Sequence, residues 1–390
     1  MTPTQQRALA NAAVAAVLTM LLGFAIVSLI PGGGSDLPIP PPPSTKPGTS
    51  CTPSWESVPS PDPQDGGSLL LGVSAVARDD AWAVGGAGDP AAPTATLTVR
   101  WNGAKWSVVQ SPNPGTVSNV FEAVSALSPD AAWAVGRSSD GVTDAPFAAV
   151  WDGAAWTLQQ LPTDLAGGGL TGVAAVSTDD VWAVGYVGTA STGEERALVL
   201  HWDGERWRRE QVQAVGGGQS RLTAISVSAA DDVWAVGIQH NTPLFLHFDG
   251  RSWDRTETDM AIDVAAVTAM SADSAWAVGS AVALWDGKTW AERGTSRGEG
   301  NLRGVASVGP DDVWAVGVRP GDKVDDERPL VQRWDGTHWA IVPGTGGSGS
   351  QVLTAVTALS DGTVLGVGYR DVQGDRSTFV LRGTTCVTGP

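Results

Sequence analysis

Asp179-Asp180-Val181-Trp182-Ala183-Val184-Gly185 is the stretch on which the reading of this chain turns, because it recurs. Near-identical copies begin at Asp79, Asp231 and Asp311, carrying Trp82, Trp234 and Trp314. Trp133-Ala134-Val135-Gly136 and Trp276-Ala277-Val278-Gly279 are looser copies, and Val364-Leu365-Gly366-Val367-Gly368 is a degenerate seventh with leucine in the tryptophan place. The copies recur every 38 to 52 residues or so, a period at which self-similarity means one supersecondary unit stacked many times. A second motif follows each of the first six copies: Trp-Asp-Gly then Trp, as in Trp202-Asp203-Gly204 and Trp207, with Asn102 or Phe248 as single variants. Trp55 is the one tryptophan of the 18 outside both motifs.

Each unit resolves into four short strands. In the third, Leu170 to Ser177 is an inner strand and Asp179-Asp180 a turn; Val181 to Val187 and Ala197 to Trp202 follow. Asp203-Gly204 supplies a tight turn, since glycine tolerates its left-handed torsions. Trp207 to Val212 is then the outer strand. Four antiparallel strands at this period describe a propeller blade, so the expected fold is all-β, a seven-bladed β-propeller. The last unit has only three strands: Val352 to Leu359, Thr363 to Tyr369 and Ser377 to Arg382. Trp55-Glu56-Ser57-Val58-Pro59-Ser60-Pro61-Asp62-Pro63 matches Trp106-Ser107-Val108-Val109-Gln110-Ser111-Pro112-Asn113-Pro114, an outer strand with its exit. The N-terminal side is therefore expected to supply the missing strand and close the ring. Cys51 and Cys386, the only two cysteines, flank that pairing and are expected to form a disulfide in an oxidising compartment.

Residues 8–30 carry no charge, and at 1.5 Å per residue reach about 35 Å, enough to cross a hydrocarbon core of about 30 Å. A cleaved signal peptide is the competing reading, but its apolar region usually spans about 7–15 residues. The expectation is a short cytoplasmic tail at 1–7, a transmembrane anchor at 8–30, a Pro/Gly-rich linker at 31–50 and the propeller at 51–390. Arg7 on the near side of the span places the domain extracytoplasmically. With 24 Lys+Arg against 41 Asp+Glu, a net charge of −17, the chain lacks the cations that displace counterions from a phosphate backbone, which excludes nucleic acid as a partner.

The pattern Asp-Asp-Val-Trp-Ala-Val-Gly, followed by His201-Trp202-Asp203-Gly204 and Trp207, resembles the tryptophan-rich propeller repeats of exported bacterial proteins. It is loosely similar to tectonin-type lectin repeats and to kelch or galactose-oxidase-type propellers. Galactose-oxidase-type copper chemistry, implied by one of these, would need a cysteine–tyrosine pair and converging histidines. His201, His240, His247 and His338 are scattered over three units, and both cysteines are assigned elsewhere. No nucleophile elbow, zinc pair or phosphate loop is present. No catalytic residue, metal or cofactor is expected. Trp55, Trp82, Trp133, Trp182, Trp234, Trp276 and Trp314 read as core, because they recur at fixed strand positions, and the Asp-Asp and Asp-Gly pairs as turns. The acidic segment from Asp322 to Arg328 lacks the alternating oxygen ligands of a calcium loop.

Connections within a blade alternate between the two faces of the disc. Those from first to second and third to fourth strand are short and uniform. Those from second to third strand vary, from about ten residues (Gly86 to Thr94) to almost none (Gly279-Ser280-Ala281). Variable loops on a rigid scaffold are where recognition is placed. Arg137, Tyr186, His240, Arg319 and Arg370, just past the second strands, are the candidate ligand-binding residues, and the fifth unit should leave a notch in the rim. The function expected is a tethered binding or scaffold module for an exported protein or an envelope glycan. An enzyme acting on extracellular polysaccharide and a purely structural envelope component are the alternatives.

Overall fold

The computed structural model describes the chain from Ser54 to Thr384, apart from residues 64–66, 89–92, 166, 189–194, 213–214, 216, 295–299, 322–325 and 344–346. The proposed anchor, the linker and both cysteines lie outside the described residues. The strands make seven four-stranded antiparallel sheets, six of them from four consecutive strands. In the seventh, Ser54–Ser57 is the outermost strand, beside Asp375–Thr384, Thr363–Val372 and Ser350–Ala358. Trp55 stands opposite Gly383 in that ladder. The inner strands neighbour one another in blade order, and that of blade seven lies beside that of blade one.

Blade three shows how sequence becomes sheet. Gly168–Ser177, Asp180–Val187, Arg196–Trp202 and Trp207–Arg209 are its strands. The outer strand stops at Arg209, three residues short of the sequence expectation; beyond it, only Glu210 continues the ladder, donating to the Val199 carbonyl. In the third-to-fourth turn Gly204 takes a φ of +89°. Asp203 does not share the left-handed torsion. Its carboxylate instead accepts from the backbone N–H groups of Glu205 and Arg206. The same arrangement forms around Asp152, Asp249, Asp286 and Asp335, and Asn102 makes it with its amide oxygen.

The tryptophans join blades rather than fill them. Five of the six second-strand indoles lie against the paired aromatic residues of the next blade's third and outer strands, with ring centroids 4.9–5.4 Å apart. Trp82 meets Trp151 and Trp156, Trp133 meets Trp202 and Trp207, and Trp182 meets Phe248 and Trp253. Trp234 meets Trp285 and Trp290, and Trp276 meets Trp334 and Trp339. Trp314 meets Trp55, edge to face at 5.5 Å. At the remaining seam Leu365 packs with Trp101 and Trp106 of blade one. Edge-to-face rings match the indole quadrupoles, and each such side chain buries about 150–250 Å².

Polar groups stitch the same seams. Every inner strand bulges at one equivalent residue, six of them bulge again near their ends, and where the first of these residues is threonine it reaches the next blade. Thr171 donates to the Leu222 carbonyl (2.8 Å), Thr223 to that of Val264 (3.2 Å) and Thr354 to that of Leu70 (2.8 Å). Ser74, Ser125 and Ser226 accept from N–H groups of Ala126, Ala175 and Ala269 on the following blade.

Candidate binding face

The turns after the first and third strands share one face of the disc, the turn face. The connections after the second and outer strands share the other, the loop face.

On the turn face the recurrent carboxylates are committed to structure. In the Asp-Asp pair the first aspartate packs under the next turn's glycine, as Asp79 does beneath Gly103 and Asp231 beneath Gly250. The second holds a basic side chain from the third strand flat against the blade's own tryptophan. Asp80 pairs with Arg100 over Trp82, and Asp312 with Arg333 over Trp314. Asp180 takes His201, stacked 4.0 Å from Trp182, and Asp232 takes His247, stacked 4.3 Å from Trp234. Blades two and five have Ala131 and Ser274 in place of that aspartate, and there the third strand offers Val150 and Leu284 instead. In blade seven Thr363 stands in the aspartate's place although Arg382 lies opposite Leu365, so the acid and the basic side chain are present or absent together in six of the seven blades.

The Trp-Asp-Gly carboxylates are held below the usual range by the backbone donors they accept. For Asp152, Asp203, Asp249 and Asp286 the N–H three residues on contributes most. Asp335, bonded first by the His338 N–H and then by the Thr337 hydroxyl, is lowered to about 2. A carboxyl whose folded value lies below its unfolded value, about 3.9, adds stability that is complete above that pH and drains away as pH falls through the folded value. Thermal melts are therefore expected to be flat above about pH 5 and to drop between about pH 4 and 2. Asp335→Asn keeps the acceptor oxygen without the charge, as Asn102 does in blade one. Its deficit in melting temperature at pH 7 should shrink as the pH approaches 2. A deficit constant across that range would refute the assignment.

On the loop face the blades differ. The long second-to-third connection expected in blade one is mostly strand, because both strands run on to Gly88 and Pro93. In blade four Gln239 and Thr242 pair across a two-residue turn in which His240 and Asn241 take positive φ, 48° and 64°. The paired positive values are those of a type I′ turn, whose twist suits a hairpin. His240 lies exposed there beside Gly218, where a Cβ would strike its ring. In blade five the second strand stops at its repeat glycine, Gly279, and the third restarts at Val282, whereas in the other blades the second strand runs two to four residues past the equivalent glycine.

The other candidates meet different neighbours. Arg137 pairs with Glu122 of its own blade at 3.0 Å and covers Gly169 of blade three. Tyr186 is 7% exposed, with the Arg221 guanidinium of blade four 4.0 Å over its ring. Sequence reasoning passed over Arg221, whose only signal was its place on an inner strand. Arg370 donates from Nε to the Ser348 carbonyl (2.9 Å) and from Nη2 to the Ser348 hydroxyl (2.7 Å). Arg319 lies exposed at the rim of a cleft of about 1660 Å³ formed by blades six and seven. That cleft draws on Asn301, Arg328, Ser350, Tyr369, Asp371 and Arg376 among others, with Arg376 4.4 Å over the Tyr369 ring. The structure thus brings Arg319 to a concave site, whereas Arg370 does not line it but is bonded to Ser348, which does. Arg137, Tyr186 and His240 belong to blades two, three and four.

The fold and this face define the class: a seven-bladed propeller with one uniform and one variable face. No family model and no curated protein matches the chain. Among solved structures it is similar to YCF48 bound to D1 peptide, with 15% identity and a TM-score of 0.57 over 85% of this chain and 97% of that one. It is also similar to YCF48 from Cyanidioschyzon merolae, with 17% identity and a TM-score of 0.54 over 84% and 98%. A third similar structure is a catalytically inactive virginiamycin B lyase from Staphylococcus aureus with quinupristin, at 11% identity and a TM-score of 0.58 over 86% and 100%. At these identities the likeness is one of fold.

Proposed function

We propose that this chain is a membrane-tethered binding module that takes a protein partner on its loop face, outside the cytoplasm. One observation carries the reading. Most turn-face carboxylates are spent on contacts that recur from blade to blade, whereas the loop face differs between blades and holds a cleft lined by a cation, Arg319, that pairs with none of the described residues. A surface that repeats cannot single out a partner; one that varies on a rigid frame can. Propellers of this architecture serve several ends, among them YCF48, which is described with a bound peptide. That favours a polypeptide ligand over an envelope glycan.

The direction of the first strand supports a tether. Ser54 pairs with Thr384 at the turn-face end and Ser57 with Leu381 further along, so the described chain begins at the turn-face end of this strand. A single-pass anchor at residues 8–30 and a crosslink between Cys51 and Cys386 belong to this reading. The two cysteines sit three residues before Ser54 and two after Thr384. Denatured without reductant, the protein is then expected to show no titratable thiol.

The test of the function is site-specific photocrosslinking of the full chain in its own cells. A crosslinker at Val142, 92% exposed on the loop face of blade two, is expected to capture a discrete protein. One at Ala154, exposed on the turn face of the same blade, is not. Capture from Ala154 alone, or from both alike, would overturn the proposal.

A further inference from the structure

Arg319 and Arg370 occupy one position in two blades, two residues beyond Gly317 and Gly368, and their circumstances are opposite. Arg370 is bound through two donors to Ser348. Arg319 continues the strand face on which Val313 and Ala315 pack against Trp276, Val278 and Val282 of blade five. Blade five raises almost nothing there, only Ser280 and Ala281 between its strands. Below lies Gly300, which has no side chain and where a Cβ would sit 2.9 Å from that of Arg319. Among the described residues the Arg319 guanidinium has no hydrogen bond or ion pair. Its cross-strand partner is a second arginine, Arg328, and like charges directly opposite in a ladder repel. Arg328 is satisfied by Asp326 (2.7 Å) and the Gly347 carbonyl (2.7 Å). Among the described residues, Arg319 is thus a fork of donors at a concave surface with no acidic partner.

We propose, building on the loop-face reading above, that the cleft between blades six and seven takes an extended acidic peptide segment of the partner. A single Asp or Glu carboxylate of that segment is seated on Arg319. Guanidinium matches a carboxylate through two parallel N–H···O bonds, and the bound anion also relieves the repulsion with Arg328. Asp326, Glu327 and Asp371 line the same cleft, so a dense polyanion such as a polyuronate would meet three carboxylates. Val318, Pro320 and Val372 supply apolar contact beside the cation, which suits an isolated acidic residue flanked by hydrophobic ones.

The experiment uses the full chain in detergent and two immobilised pools of nine-residue peptides, randomised except for a central Glu or a central Gln. An oligouronate is tested alongside. The Glu pool is expected to retain the protein about tenfold better, the ratio that corresponds to about 1.4 kcal/mol. Arg319→Gln should abolish that preference, and so should raising the salt from 0.05 to about 0.5 M, which screens exposed charges. Lys105→Gln on the turn face should change nothing. Equal retention of both pools, a preference that survives Arg319→Gln, or retention by the oligouronate alone would each overturn the inference, provided Arg319→Gln melts as the parent does. Arg319→Lys, which keeps the charge but not the fork, should recover only part of the preference. If the pools fail while Val142 still captures a protein, the cleft is misassigned and the loop-face reading stands. If Val142 captures nothing, that reading itself fails.

Discussion

Trp55→Ala is expected to cost about 3–5 kcal/mol of unfolding free energy, the range for removing a buried large aromatic side chain. The residue is 6% exposed and stands alone in its role. Its indole lies edge to face with Trp314 of blade six. It shares a core with Leu353, Phe379 and Leu381 of blade seven. Its ring also rests on Gly383, where a Cβ would come within 3.1 Å. Every other outer strand follows its own third strand through a turn of a few residues. This one arrives from the opposite end of the fold, tied further by Val58 to the Val380 carbonyl (3.0 Å) and by the Ser60 and Thr378 hydroxyls (2.7 Å). Deleting residues 1–57 should do more. It uncovers Trp314 and the edge of Asp375–Thr384, an unpaired strand that invites association with other chains. Urea unfolding of Trp55→Ala and light scattering of the deletion are the measurements. A Trp55→Ala loss under about 1 kcal/mol would mean that the strand is an accessory rather than part of blade seven.

Gly185→Ala, a change of one methyl group, should be similarly severe, at about 3 kcal/mol or more. The backbone at Gly185 is ordinary strand, so torsional strain is not the cause. A Cβ there would lie 2.1 Å from the Gly169 carbonyl oxygen on the inner strand. The inner strand cannot yield, because Thr171 ties it both to the Val184 carbonyl and to blade four. The same close approach is present at Gly85, Gly136, Gly237, Gly279, Gly317 and Gly368, each facing an inner-strand carbonyl at 1.8–2.0 Å. Gly217→Ala is the control, because a Cβ there meets nothing within 4 Å. It should be neutral or gain a few tenths of a kcal/mol from a stiffer unfolded chain. Equal shifts in the urea midpoints of the two variants would show that the approach of the strands is not what requires glycine.

Much of this was legible in the chain. The recurrence of the Asp-Asp-Val-Trp-Ala-Val-Gly stretch, with its degenerate seventh copy at Leu365, gives the count of units, and the Asp-Gly of Trp-Asp-Gly announces a turn by residue type alone. The match of Trp55 to Trp106 announced an outer strand, because an outer strand is recognised by its own residues wherever the chain supplies it. The cross-blade hydroxyls of Ser74, Ser125 and Thr354 were not legible. Their partners lie a whole blade away, and whether an oxygen reaches them depends on the angle between two sheets. The pairing of Asp80 with Arg100 and Asp312 with Arg333, against Ala131 with Val150, was written in the repeats and could have been found by aligning them.

The candidate site divides the same way. Its face followed from the alternation of strand direction, which a sequence of four strands per unit already contains. Its individual residues did not. Arg319 and Arg370 are the same residue type at the same repeat position, yet one finds a serine and the other an empty notch. By itself the sequence determined the repeat, the all-β class and which face is free to vary, because these follow from local periodicity and turn chemistry. The tertiary structure alone decided that Arg370 is bound to Ser348 while Arg319 meets no partner among the described residues. A side chain's charge is neutralised by whatever neighbouring blades bring to it, and that is a matter of distance in space rather than position in the chain.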